Sequence, residues 1–201
     1  MLNSTPTATA PQPTVRRLES PSALKLVALV TTFEELQTVL RCCERLIAAL
    51  AAEGGAPDDV LIESVWTVAL LSYARCFSAD GSLTEDDVKA AVTAGDGPEW
   101  HQLLLTLREH YAAAAANPRE RFTVGVVQDD NGAAGAVAIT SSRQPLVDDV
   151  TVRQTGAIAF ALSTLVDERI TAQQQQVFDE VKDAGRSVLD RLPEVEYVEP
   201  E

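Results

Sequence analysis

Between Phe33 and Leu50, the apolar residues Phe33, Leu36, Leu40, Cys43, Ile47 and Leu50 recur at three- and four-residue steps. That spacing lays them along one stripe of an α-helix. A strand cannot do the same, because its side chains alternate every two residues. The pattern returns along most of the chain, which restricts the fold to packed helices. Composition points the same way: alanine, the best helix former, is abundant, and aromatics, which strands favour, make up only 5%. With 201 residues the chain can build one domain with a sizeable core, or two small ones at most. The expected fold class is mainly α, an up-and-down helical bundle of about five helices with a small β-hairpin before a long C-terminal helix.

Residues 1–22 are rich in Thr, Pro, Ser and Ala and carry Pro6, Pro11, Pro13 and Pro21. They hold too little apolar surface to offset ordering entropy, so a disordered tail is expected. A single helical domain follows over residues 23–192, opening with a short strand or leading turn at 23–30. Thr32 and Glu35 have capping-box spacing, which starts the first helix near Thr32, and Gly54-Gly55 ends it. A second helix starts at Pro57-Asp58-Asp59 and runs to Phe77, with apolar residues nearly all round it. It is expected to be the central and most buried helix. Asp80-Gly81 stops it, and Thr84-Glu85-Asp86-Asp87 opens a short third helix that ends at Gly95-Asp96-Gly97.

Pro98 suits the first position of a fourth helix, where its missing N–H costs nothing. The stripe there is Trp100, Leu103, Leu104, Leu107, Tyr111 and Ala115, and Asn117-Pro118 ends it. Two alternating runs, Phe122–Val127 and Ala134–Thr140, flank Asp129-Asp130-Asn131-Gly132, a strong hairpin signal. The hairpin therefore spans residues 122–140. A lone two-stranded hairpin is marginally stable, so it is expected to lie on the helices or on a partner. A long helix over residues 149–192 follows. Beyond Gln173-Gln174-Gln175-Gln176 its stripe narrows towards a coiled-coil seam, which suits a solvated extension or a dimer contact equally. Residues 193–201 read as an acidic, frayed end.

Net charge is −14, from 16 basic and 30 acidic residues. Such a surface repels nucleic acid and lacks the basic stripe that phosphate binding needs, so DNA is not an expected partner. No run approaches the roughly 20 apolar residues of a membrane span. The short stretch Ala23–Val30 after Arg16-Arg17 is too brief for a secretion signal. The expectation is a cytoplasmic protein with no membrane partner. Cys42, Cys43 and Cys76, odd in number and two of them adjacent, form neither a disulfide framework nor a zinc pattern. Cys43 and Cys76 read as small core residues.

Motifs for chemistry are few. There is no P-loop, no zinc spacing and no Gly-rich turn for a dinucleotide, so neither a cofactor nor a metal is expected. His101 and His110 are the only histidines. On a helix, His101 and Arg108 share a face and His110 falls on the opposite side, so the three do not converge. Read from the residues alone, this is an amphipathic helix with polar residues around its exposed arc.

The order of elements adds a resemblance. A long helix is followed by an almost wholly apolar one containing Trp66 and Tyr73-Ala74-Arg75-Cys76-Phe77. A third carries His101 and then Leu107-Arg108-Glu109-His110. This order resembles the HEPN superfamily, and more closely its bacterial members associated with toxin and phage-defence systems. The resemblance covers residues 33–117 and the first part of the last helix. It implies an all-helical domain that commonly dimerises, with two subunits forming a composite, metal-independent ribonuclease site. The family motif is Arg, a polar residue, three variable residues and His. Arg108 matches the Arg, which steadies phosphate charge, and Glu109 the polar position. The His position, which serves in acid-base transfer at the ribose 2′-hydroxyl, falls on Ala113, so that role is vacant. The resemblance thus implies a catalytically silent, HEPN-like interaction or regulatory protein, homodimeric or bound to another protein. Two alternatives stand beside it. One is a ribonuclease using Arg108 and His110 across a dimer on RNA; the other is a structural helical protein unrelated to HEPN.

Overall fold

The first helix begins eleven residues before Thr32. In the computed structural model, which describes residues 14–52, 58–93, 95–112, 117 and 119–196, Ser20 is the N-cap. Its side chain accepts from Ala23 N at 3.3 Å, and Pro21 takes the first helical position. Helix α1 therefore runs Pro21–Leu50. The Ser-Pro pair outweighs the later capping-box spacing, because Thr32 has a different use. It is 2% exposed within α1, and its hydroxyl accepts from Ser82 Oγ at 2.8 Å, tying α1 to the turn after the next helix. Glu35 pairs with Arg75 at 3.2 Å and caps nothing.

Helix α2 spans Asp59–Arg75, α3 Glu85–Ala91 and α4 Gly97–Ala112. Asp58 caps α2 through Leu61 N. Thr84 and Asp87 close a capping box on α3. Strands β2 (Glu120–Gln128) and β3 (Ala134–Arg143) form the hairpin, and α5 runs Asp149–Val181. A short α6 (Arg186–Leu189) leads to β4 (Glu194–Val195), which pairs antiparallel with β1 (Val15–Arg16). The fold is mainly α with a small hairpin, as the periodicity requires. The glycines at 54 and 55, Pro57, Ala113, Ala115 and Pro118 lie outside the described residues, as do 1–13 and 197–201. No described helix is long and apolar enough to cross a membrane.

The core joins Leu36, Val39, Cys43 and Leu46 of α1 to Ile62, Trp66, Ala69 and Tyr73 of α2. Val88, Leu104, Val152, Leu162 and Val166 complete it from α3, α4 and α5. Helices α1 and α5 are antiparallel: Gly156 lies against Cys43 at one end, and Gln173 donates to Ser22 O at 3.0 Å at the other. Their interface is the largest between helices, while α2 buries the largest share of its own residues, 6 of 17, including Trp66 and Tyr73. It leaves Val60, Leu61 and Val68 exposed on its outer face. Burial pushes the Cys43 and Cys76 thiols up to about 12, which leaves both as neutral core groups.

Three further expectations are corrected at the ends. Residues 14–20 belong to the fold and not to a disordered tail, because β1 finds a partner in β4 and Arg16 donates to Leu192 O at 3.2 Å. The same pairing holds Glu194 and Val195, read from sequence as frayed. The last helix ends at Val181 and not near 192: the chain turns at Lys182–Ala184, and Gly185 starts α6. Beyond Gln173, α5 rests one side on the chain's own α1, with Gln173 and Val177 buried and Glu180 accepting hydroxyl hydrogen bonds from Ser20 and Ser22. Gln174, Gln175, Gln176 and Phe178 stay exposed.

The hairpin stands apart from the helices. Gly132 takes φ 81 in its turn, a conformation glycine adopts without strain. The Asp129 carboxylate accepts from the backbone of Asn131 and Ala133, both at 2.9 Å. At the root, Arg119 pairs with Glu63 at 2.7 Å and Arg143 pairs with Asp59, both acids belonging to α2. Every residue from Arg121 to Val137 is exposed.

Candidate functional site

Helix α4 carries every residue singled out for chemistry, and the fold disperses them. His101 lies at 2% exposure on the inner face, a correction to its expected place on the exposed arc. Of the expected stripe, Leu104 is buried and Trp100, Leu107 and Tyr111 pack against the core, whereas Leu103 turns outward. His101 Nδ1 and the Tyr73 hydroxyl share a hydrogen bond of 2.9 Å. The Phe77 ring lies 4.3 Å from the imidazole, centroid to centroid. Burial pushes the His101 pKa below its ordinary 6.5, only partly opposed by Glu85, and burial likewise keeps the Tyr73 phenol protonated. A neutral histidine hydrogen-bonded to a neutral phenol is a core polar pair, and its imidazole also forms part of a cavity wall.

This pair makes stability depend on pH. The unfolded chain protonates His101 near pH 6.5, and the folded chain only at lower pH. The stability contributed by the neutral ring is therefore complete above the unfolded value and lost as pH falls through the folded one. The melting temperature is expected to fall between about pH 7 and about pH 5. The His101→Gln variant, which has no proton to gain, should show a shallower fall in the same scanning calorimetry series. Identical slopes would place the pH dependence elsewhere.

Arg108, Glu109 and His110 lie near the end of α4. Arg108 is half-buried and forms an ion pair with its neighbour Glu109, which is exposed. The His110 ring packs edge-on against Tyr111 at 87° and is otherwise exposed. Two residues apart on a helix, Arg108 and His110 project about 200° apart, so one subunit does not aim both at one atom. The position the resemblance assigns to the histidine, Ala113, lies outside the described residues. None of the three residues lines any of the three cavities flanking α4. One, about 370 Å³, is bounded by Glu85, Val88, Pro98, Glu99, His101 and Gln102. A second, about 50 Å³, lies beneath Tyr111 between the α2 acids and the hairpin root. A third, about 610 Å³, lies between Trp100, the end of α3 and Gln154, Ala157, Ile158 and Ala161 of α5. Among the described residues no group of three His, Cys, Asp or Glu side chains is placed to hold a metal ion.

The hairpin is the other candidate. Residues opposite each other in an antiparallel pair share a face. The register Phe122↔Ser141, Val124↔Ile139 and Val126↔Val137 therefore gathers Phe122, Val124, Val126, Val137 and Ile139 on one side. Each of these five is between 57% and 73% exposed. The other side carries Arg121, Thr123, Gly125, Val127, Ala136, Ala138, Thr140 and Ser142, of which only Val127 is a large apolar residue. Sequence reasoning found the strands, and their period-two alternation already marked which residues share the apolar face. It could not tell that the helices leave that face bare. Comparison with protein families, curated proteins and solved structures finds no match to this chain.

Proposed function

We propose that this chain is a non-catalytic helical interaction or regulatory protein, HEPN-like in the order of its helices, that works as a homodimer. The observation that carries the reading is the hairpin: five large apolar side chains on one face, held away from the helices at a root fixed by two ion pairs. They leave on the order of 500 Å² of contiguous apolar surface in water, at the upper end of what monomeric proteins expose and typical of an interaction site. The absence of a catalytic role is argued from α4. Arg108 is engaged by Glu109, His110 projects from another side, and His101 is held by Tyr73 on the inner face of α4. General acid-base transfer needs its groups within hydrogen-bond reach of one proton, and these groups do not meet that condition within one subunit. The acidic surface adds repulsion towards RNA.

The test sets this reading against a ribonuclease built from Arg108 and His110 of two subunits. Wild type and the Arg108→Ala variant are incubated with a structured and an unstructured RNA, and cleavage is followed on gels. The expected result is no cleavage above buffer by either protein. Turnover by the wild type that Arg108→Ala removes would establish the ribonuclease and end the non-catalytic reading.

A further inference from the structure

We propose that the occupant of the hairpin's apolar face is the same face of a second copy, the two hairpins stacked face to face with their strands antiparallel. This rests on the homodimer reading above and names the surface that makes it. A two-stranded hairpin with one bare apolar face is marginal in water, whereas four strands enclosing an apolar layer form a stable unit. Pairing at the strand edges alone would widen the sheet and leave the apolar face still wet, so stacking is the arrangement that removes it from solvent. Two such faces bury roughly 1,000 Å² in total, the lower bound for a specific interface.

Charge selects a second copy and sets its direction. The chain carries −14, yet residues 122–128 and 134–142, the body of both strands, contain no ionisable side chain. This is a place where two acidic molecules can meet without like charges in contact. The hairpin is also polar along its length: Asp129 and Asp130 sit at the tip, and Arg119, Arg121 and Arg143 at the root. Arg119 and Arg143 neutralise Glu63 and Asp59, Glu120 stands beside them, and Arg121 lies on the opposite face beside Ser142. Antiparallel stacking keeps the two acidic tips apart and sets each beside the partner's charge-balanced root. It also places the two helical bodies at opposite ends of strands about 30 Å long, far beyond the ~8 Å screening length. A parallel stack would set acidic bodies side by side and acidic tips together.

A two-fold axis through the Val124↔Ile139 rung then sets Ile139 over its own counterpart and Phe122 over the partner's Val126. The Ile139→Glu substitution thus places two carboxylates against each other in an apolar layer. The dimer dissociation constant should rise by about 100-fold or more. Thr140→Glu adds the same charge to the same strand on the other face and should leave the constant within a few-fold. Both are compared with wild type by sedimentation equilibrium on the full chain, with far-UV circular dichroism confirming that helix content is unchanged. A wild-type dimer that persists in Ile139→Glu overturns the hairpin interface and leaves the homodimer reading intact. A monomeric wild type overturns both. Direction is read from a spin label at Asn131→Cys in a Cys42→Ser background. The antiparallel stack predicts about 40 Å between tips, and a distance below about 20 Å overturns it.

Discussion

Trp66→Ala is expected to cost about 3–5 kcal/mol of unfolding free energy. Trp66 is 1% exposed, stands at the middle of α2, and heads the fully buried side chains by size. Its removal leaves a void bounded by helices already tied at both ends. The hydroxyl of Thr32 fixes α1 to Ser82, and the Tyr73–His101 pair fixes α2 to α4. Such walls relax little, so the loss of burial and the cavity add. A domain stable by 5–15 kcal/mol loses a large part of its margin. Urea unfolding followed by circular dichroism measures the change through the midpoint. The comparison is Val60→Ala on the same helix: Val60 is 63% exposed, and truncation there should cost less than about 0.5 kcal/mol. A Trp66→Ala cost as small as that of Val60→Ala would contradict the packing described.

Gly81→Ala should be the next most damaging change, at about 1–3 kcal/mol. The reason is space. A Cβ at Gly81 would stand 2.3 Å from Cys76 O and 2.7 Å from Arg75 O, closer than real atoms approach. Both neighbours are backbone at the end of α2, so neither can swing aside. Leu83 N also donates to Cys76 O at 3.1 Å, and Ser82 is bound to Thr32. Relief of the clash would have to pull the turn off α1. The melting temperature should fall by about 2–12 °C in a domain of this size. A variant with unchanged melting temperature would mean that the turn opens freely.

The sequence marked Gly81 as a stop, which is where α2 gives way to the turn. It carried no sign that close backbone approach is the cause. The same division runs through the molecule. Three- and four-residue spacing located α1, α2, α4 and α5 because burial of one stripe is a local property of the chain. Asn131-Gly132 located the hairpin because turn chemistry is local too. Long-range pairing was not legible. Thr32 and Glu35 have the spacing of a cap, but a buried bond to Ser82 and an ion pair with Arg75 engage them. Gln173 follows the pattern of an exposed polar run, yet it is buried because Ser22 O, far away in sequence, needs a donor. His101 reads as surface until Tyr73 supplies a partner across the α2–α4 interface. In the candidate site, sequence gave the residues of α4 and both strands. Which of them face a void, a neighbour or water is set by tertiary packing.

The most direct test of the proposed function is the mass of the wild-type chain in solution, measured by light scattering behind a size-exclusion column over a hundred-fold range of concentration. Apolar faces of the size displayed by the hairpin predict a particle of twice the chain mass at the upper concentrations, dissociating as the protein is diluted into the low micromolar range or below. A particle of single chain mass at every concentration would contradict the homodimer and leave the hairpin's apolar face to a partner of another kind.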